Sequence, residues 1–240
     1  MTLCVQYKTN WLESIFNNNK TYKYNSFDDI PNYHNIIVLD CSNNKLTILP
    51  QLPIGLQILY CFSNQLSELP ELPNSLQIIW CFDNKLSELP KLPNSLEKLV
   101  CDFNQLSLLP ELPNSLKEIE CGCNQLNVLP ELPNSLQKLR CSANQLNELP
   151  KLPNSLQELI CINNKLSVLP ELPISLEKLS CSGNQLSVLP ELPSSLKELH
   201  FLEIERHFNC FCDCDRNIVY KIDDKLITRK NYKYNYFKKI

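Results

Sequence analysis

Hydrophobic residues recur along this chain with two periods at once. Over short stretches they alternate: from Lys98 to Asp102, Leu99 and Cys101 fall on one side and Lys98, Val100 and Asp102 on the other, the period of a strand. Over longer range the pattern returns every 20 residues. Leu56, Leu76, Leu96, Leu116, Leu136, Leu156 and Leu176 align without insertion or deletion, each opening a unit L-x-x-L-x-C-x-x-N-x-L-x-x-L-P-x-L-P-x-S. Eight copies fill residues 36–195, the first led by Ile36. A ninth begins at Leu196 and degenerates over residues 196–206, with Phe201 where Cys is due. Such in-phase self-similarity predicts a solenoid. One strand per coil gives a parallel sheet over a linear core in which Leu59, Ile79, Leu99, Ile119 and their counterparts form one aliphatic row.

The other fixed positions follow from what the backbone needs. At the ninth position Asn44, Asn64, Asn84, Asn104, Asn124, Asn144, Asn164 and Asn184 follow the strand where the chain turns inward. An amide side chain donates and accepts together, so these eight are read as a structural ladder, bonding to backbone on both neighbouring coils. The L-P-x-L-P half cannot be helical, because a Pro every third residue removes amide donors and collides with the preceding turn. Polyproline II suits it, bringing Leu49 and Leu52 to the core together and setting Pro50 and Pro53 on another face. The predicted architecture is a gently curved solenoid, with short parallel strands on the concave face and polyproline II or extended segments on the convex face.

This unit resembles the leucine-rich-repeat family, and within it the short 20-residue class known from secreted effectors of pathogenic bacteria. The Cys at the sixth position and the Asn-, Lys- and Tyr-rich stretch from Asn17 to Asn25 look most like leucine-rich-repeat proteins of giant DNA viruses of the mimivirus type. The resemblance implies a horseshoe-like scaffold for protein ligands. It also implies an enzymatic alternative, an effector-type ubiquitin ligase or ligase adaptor, for which the stretch after Ser195 is short.

Composition narrows the picture. At 43% hydrophobic and 20% charged, the chain has the make-up of a folding protein. Its net charge of −3 argues against nucleic acid, although residues 207–240 are net basic and the repeats net acidic. Contact of Arg229 to Ile240 with nucleic acid or an anionic surface is a further alternative. Three glycines and the lack of any catalytic triad or zinc-protease motif point away from an enzyme. No stretch reaches the roughly 18 apolar residues of a membrane span, and Met1 to Asn10 lacks the make-up of a signal peptide. The expected setting is an intracellular, reducing compartment, including the cytoplasm of a host cell.

The 13 cysteines fit that setting. Cys41, Cys61, Cys81, Cys101, Cys121, Cys141, Cys161 and Cys181 take the inward strand position and read as small buried hydrophobes. A disulfide or metal ladder is disfavoured, since side chains stacked in register point alike and do not face one another. Cys210, Cys212 and Cys214, with His207 beside them, have metal-ligand types but not zinc-finger spacing. No cofactor or metal is expected.

The ends of the array need covering. Residues 1–35, with Trp11, Leu12, Ile15 and Phe16 at helical spacing, are expected to supply an N-terminal cap. Residues 207–240 are expected to supply a C-terminal cap and basic tail, packing through Ile218, Val219, Tyr220 and Ile222. Function falls to the outward strand positions, which the repeat leaves unconstrained. Copies two to four place Ile58, Tyr60, Phe62, Ile78, Trp80, Phe82, Val100 and Phe103 there, and later copies place Glu118, Glu120, Lys138, Arg140, Glu158, Lys178, Glu198 and His200. An aromatic patch bordered by charge has the composition of a protein-binding hot spot. The chain is thus expected to be a monomeric, non-enzymatic scaffold for a protein partner.

Overall fold

The computed structural model describes residues 1–7, 21–201 and 220–221. The repeats form a parallel β-solenoid. Its strands are β1 (Leu3–Tyr7), β2 (Tyr22–Tyr24), β3 (Ile36–Asp40), β4 (Ile58–Tyr60), β5 (Ile78–Trp80), β6 (Lys98–Val100), β7 (Glu118–Glu120), β8 (Lys138–Arg140), β9 (Glu158–Ile160), β10 (Lys178–Ser180), β11 (Glu198–His200) and β12 (Tyr220–Lys221). They make one sheet in the order β12-β11-β10-β9-β8-β7-β6-β5-β4-β3-β1-β2. From β3 to β11 all pairs are parallel and offset by one repeat, as in Leu39↔Leu59, Leu59↔Ile79 and Ile79↔Leu99. A slip of one residue would turn every Leu and Cys to the outer face.

One coil shows how the core is built. Leu96, Leu99, Cys101 and Leu106 are fully buried, and Leu109 and Leu112 nearly so. Burying each leucine stabilises by about 1.5–3 kcal/mol, and the next coil repeats the same set at the same depth. The cysteines extend this core: all eight at the sixth position are buried and free of disulfides.

The extended L-P-x-L-P half departs from the sequence expectation in one respect. Its leucines do enter the core together, as Leu69 and Leu72 do, but its prolines are not equivalent. Pro90 is half-buried while Pro93 is buried, and the same holds for Pro110 and Pro113. The second proline stands where the segment turns back toward the sheet, a turn closed by the Leu96 N–H donating to Pro93 O at 3.1 Å. Its ring is therefore drawn under the coil.

The asparagine ladder is present with a narrower reach than expected. Asn84 Nδ2 donates to Cys81 O and Phe82 O in its own coil and to Cys61 O in the preceding one, while Oδ1 accepts the Leu66 N–H at 3.0 Å. The side chain thus binds its own coil and the one before it, not both neighbours. A second ladder was not foreseen. Serines at the twentieth position donate to the carbonyl that opens the same unit, as Ser95 Oγ does to Leu76 O and Ser115 Oγ to Leu96 O, both at 2.6 Å. A hydroxyl just before the opening Leu of every unit from Leu76 on was the available signal.

At the N-terminal end, β1 runs antiparallel between β3 and β2. Leu3 and Val5 are fully buried against the first coil. Asn44, the first rung, has no preceding repeat to bind, and Thr2 substitutes: its N–H donates to Asn44 Oδ1 at 2.7 Å and its carbonyl accepts from Asn44 Nδ2 at 2.8 Å. Trp11, Leu12, Ile15 and Phe16, the residues at helical spacing, lie outside the described residues. At the other end β12 pairs antiparallel with β11. Ile218, Val219, Ile222, His207, Cys210, Cys212, Cys214 and the Arg229–Ile240 stretch also lie outside them. Among the described residues no helix is long and apolar enough to cross a membrane, and no cluster of metal-ligating side chains occurs.

Candidate functional site

Parallel register brings outward side chains 20 residues apart into contact. Tyr60 pairs with Trp80 and Trp80 with Val100 along the sheet, as Ile58 does with Ile78 and Ile78 with Lys98. Just beyond the strand ends, Phe62 and Phe82 stack face to face with centroids 4.5 Å apart and planes 6° apart. Trp80 joins the two rows, its ring 4.9 Å from Tyr60 at 60° and 6.3 Å from Phe62. Lateral packing therefore stabilises these aromatics in part, yet Ile58, Tyr60, Phe62, Ile78, Trp80 and Phe82 all keep some exposed surface.

Two of the expected patch residues behave differently from the rest. Val100 is buried, so it supports the patch instead of presenting it; a short side chain beside Trp80 in the register is covered by longer neighbours. Phe103 is half exposed, at 50%, and its backbone is left-handed with φ 52°. The eighth position takes this conformation in every coil, from Asn43 through Ser63, Asp83, Cys123, Ala143 and Asn163 to Gly183. For an L-residue with a bulky side chain it costs roughly 1–2 kcal/mol.

Charge surrounds the rings. Lys98 Nζ stands 5.7 Å from the centroid of the Trp80 ring and 2.7 Å from Glu118 Oε2. Glu118 also receives Lys138 at 2.9 Å, and Arg140 bridges Glu158 at 2.6 Å and Glu120 at 3.4 Å. Burial works against ionisation of Glu118, but hydrogen bonds from Lys138 and Lys98 win and hold its carboxyl below the usual value. The charged column beyond the aromatics is thus largely satisfied by itself. Asp102 differs: burial pushes its carboxyl up to about 6, opposed by the Gly122 N–H it accepts at 2.7 Å and assisted by the nearby charge of Glu120.

The ladder thiols are chemically quiet. Burial raises all eight, Cys41, Cys81 and Cys181 to about 12, so each is a neutral thiol at physiological pH. Trp80 Nε1 and Tyr33 Oη are buried and have no hydrogen-bond partner among the described residues. A further surface went unread in the sequence, a broken apolar column at the thirteenth position comprising Ile48, Leu108, Val128, Val168 and Val188. Its signal was present as a position alternating between Glu and aliphatic residues.

The Leucine Rich Repeat family model matches residues 175–199. No curated protein matches the chain. Among solved structures, YopM from Yersinia enterocolitica is 36% identical over 70% of this chain and 42% of its own, with a TM-score of 0.60. A Shigella effector leucine-rich-repeat domain is 37% identical over 63% of this chain and 70% of its own, with a TM-score of 0.59. The functional domain of InlJ from Listeria monocytogenes, described as including a cysteine ladder, is 28% identical over 70% of this chain and 39% of its own, with a TM-score of 0.57. The chain therefore spans about two fifths of the YopM and InlJ chains it matches.

Proposed function

The chain belongs to the leucine-rich-repeat family, and from that premise we propose that it is a non-enzymatic scaffold that binds a protein partner through the aromatic part of its concave sheet. The observation that carries this reading is the cost of the patch to its own chain. Phe103 holds a half-exposed ring on left-handed backbone, and Trp80 buries an indole N–H that has no acceptor among the described residues. Stability alone would favour Asn or Gly at the first position and Phe at the second. Rings kept at such cost on an outward face have the composition of interface anchors.

Similarity to effector proteins of Yersinia and Shigella supports a partner in a host cell. The likeness to chains of giant viruses rests only on the sixth-position Cys and the Asn-rich flank, and it points to the same kind of setting. The test is affinity capture from host-cell extract with the parent chain and the Trp80→Ala/Phe82→Ala double variant in parallel, circular dichroism confirming that both are folded. A partner retained by the parent and lost by the variant is the expected result. Equal retention by both would remove the patch from consideration.

A further inference from the structure

The aromatic patch carries a charge as well as a shape. At the outward positions of the first five coils stand the carboxylates Asp40, Asp83, Asp102, Glu118 and Glu120, against the lone cation Lys98. Lys98 is engaged by Glu118, and Glu120 by Arg140. Asp40, Asp83 and Asp102 have no ion-pair partner among the described residues. Among the described residues the Asp40 carboxylate accepts only from Ser42, and that of Asp102 accepts from the Gly122 N–H. Asp83 is exposed directly beside Phe82. The outward Phe, Tyr and Trp rings end with Phe103 in the fourth coil, and from the sixth coil the balance turns, with Lys138, Arg140 and Lys178 against Glu158 and Glu198.

We propose that the patch receives a short, extended, cationic segment of the partner protein. Its lysine or arginine heads meet Asp83 and Asp102, and its apolar side chains meet Tyr60, Phe62, Trp80, Phe82 and Phe103. The proposal rests on the patch being the docking surface. Complementary charge is what selects among segments able to cover the same rings: an acidic segment would press like charges together, and a neutral one would leave two carboxylates desolvated without partners. Lys98 is an internal instance of the contact, an ammonium over the Trp80 ring with a carboxylate closing the other side. Strands lie about 4.8 Å apart, so coils two to four span roughly 10 Å, the length of about three extended residues. The recognised unit is a motif of that size crossing the strands.

The full chain is titrated by fluorescence anisotropy against three labelled peptides of equal length and equal apolar content, bearing lysine and arginine, glutamate, or serine and glutamine at the remaining positions. The cationic peptide is expected to bind at least about tenfold more tightly than the other two. Asp83→Asn/Asp102→Asn is expected to abolish that preference with cooperative melting retained, and Trp80→Ala/Phe82→Ala to abolish binding altogether. If the neutral or acidic peptide binds as well as the cationic one and needs Trp80 and Phe82, the docking surface stands and the charge assignment is wrong. If cationic binding survives loss of both rings, the attraction is sited elsewhere and the docking surface fails with it. If none of the three binds at about millimolar concentration, the cationic assignment is overturned, while capture by the parent chain still decides the docking surface.

Discussion

Asp102 Oδ1 accepts the Gly122 N–H at 2.7 Å, and a Cβ placed on Gly122 would stand 2.9 Å from that same oxygen. The carboxylate closes over the next coil at the one outward position where that coil has no side chain, and this closure is what withdraws it from water. Its folded-state pKa of about 6 lies above the ordinary carboxyl value of 3.8. A raised carboxyl makes the native state bind the extra proton between those two values. Its contribution is fully present below about 4 and is lost as pH rises through about 6. Asp102→Asn keeps an acceptor for Gly122 and removes the titration. The melting temperature of the variant minus that of the parent should therefore climb between pH 4 and pH 6 and level off by pH 7. A difference that stays flat would show Asp102 titrating as an exposed carboxylate.

Gly55 and Gly122 should respond in opposite directions to a side chain. Gly55 stands in the first coil where later coils have the ladder serine, and a Cβ there meets nothing within 4 Å. Gly55→Ser can donate to Ile36 O as its counterparts do, with a gain of about 0.5–1.5 kcal/mol from the hydrogen bond. At Gly122 the new methyl would also meet Ser142 O at 3.0 Å, so Gly122→Ala should lower stability. Urea denaturation of the two variants beside the parent reads both signs.

Each interior asparagine joins at least four backbone groups. Asn104 Nδ2 donates to Cys81 O, Cys101 O and Asp102 O, and Oδ1 accepts from Leu86 N. Asn104→Ala leaves these buried groups unpaired at about 1–3 kcal/mol for each one that water cannot reach, so a loss above about 2 kcal/mol is expected. Asn104→Asp should be no milder, because its oxygens would face three carbonyls. Denaturant midpoints that shift by less than about 0.5 kcal/mol equivalent would mean that the ladder is redundant.

The ladder thiols should resist modification while the chain is folded. Cys61, Cys101, Cys141 and Cys161 are raised well above the ordinary thiol value by burial, and all eight lack the thiolate that reacts. Iodoacetamide at pH 8 followed by peptide mapping should leave the eight unlabelled in buffer and labelled in denaturant. Native labelling at Cys101 or Cys121, deep within the array, would contradict the packed core.

Phe103 should separate stability from recognition. Phe103→Asn puts a residue tolerant of left-handed backbone at φ 52° and takes a half-exposed ring out of water, so thermal stability should rise by about 1 kcal/mol. Partner binding in the same variant should weaken. A variant that is both less stable and fully able to bind would show that the ring serves the fold.

The period of 20 already determined which residues are core. In a stack of equivalent coils every Leu, Cys, Asn and Pro meets the environment of its counterpart, so burial is a function of position in the unit and can be read along the chain. The strand register and the row of buried cysteines followed for the same reason, and so did the outward aromatics of copies two to four. What the sequence could not supply was anything that depends on which coil lies on which side. The side chain of Asn84 bonds to the coil before it and not to the coil after, Thr2 stands in for a missing repeat at Asn44, and β1 inserts between β3 and β2. Within the patch, the neighbours of Val100 bury it, and Lys98 pairs with Glu118, so that among the described residues neither Asp83 nor Asp102 forms an ion pair. Such outcomes turn on contacts between side chains 20 residues or more apart, where distance and desolvation are set by three-dimensional packing and not by position in the repeat.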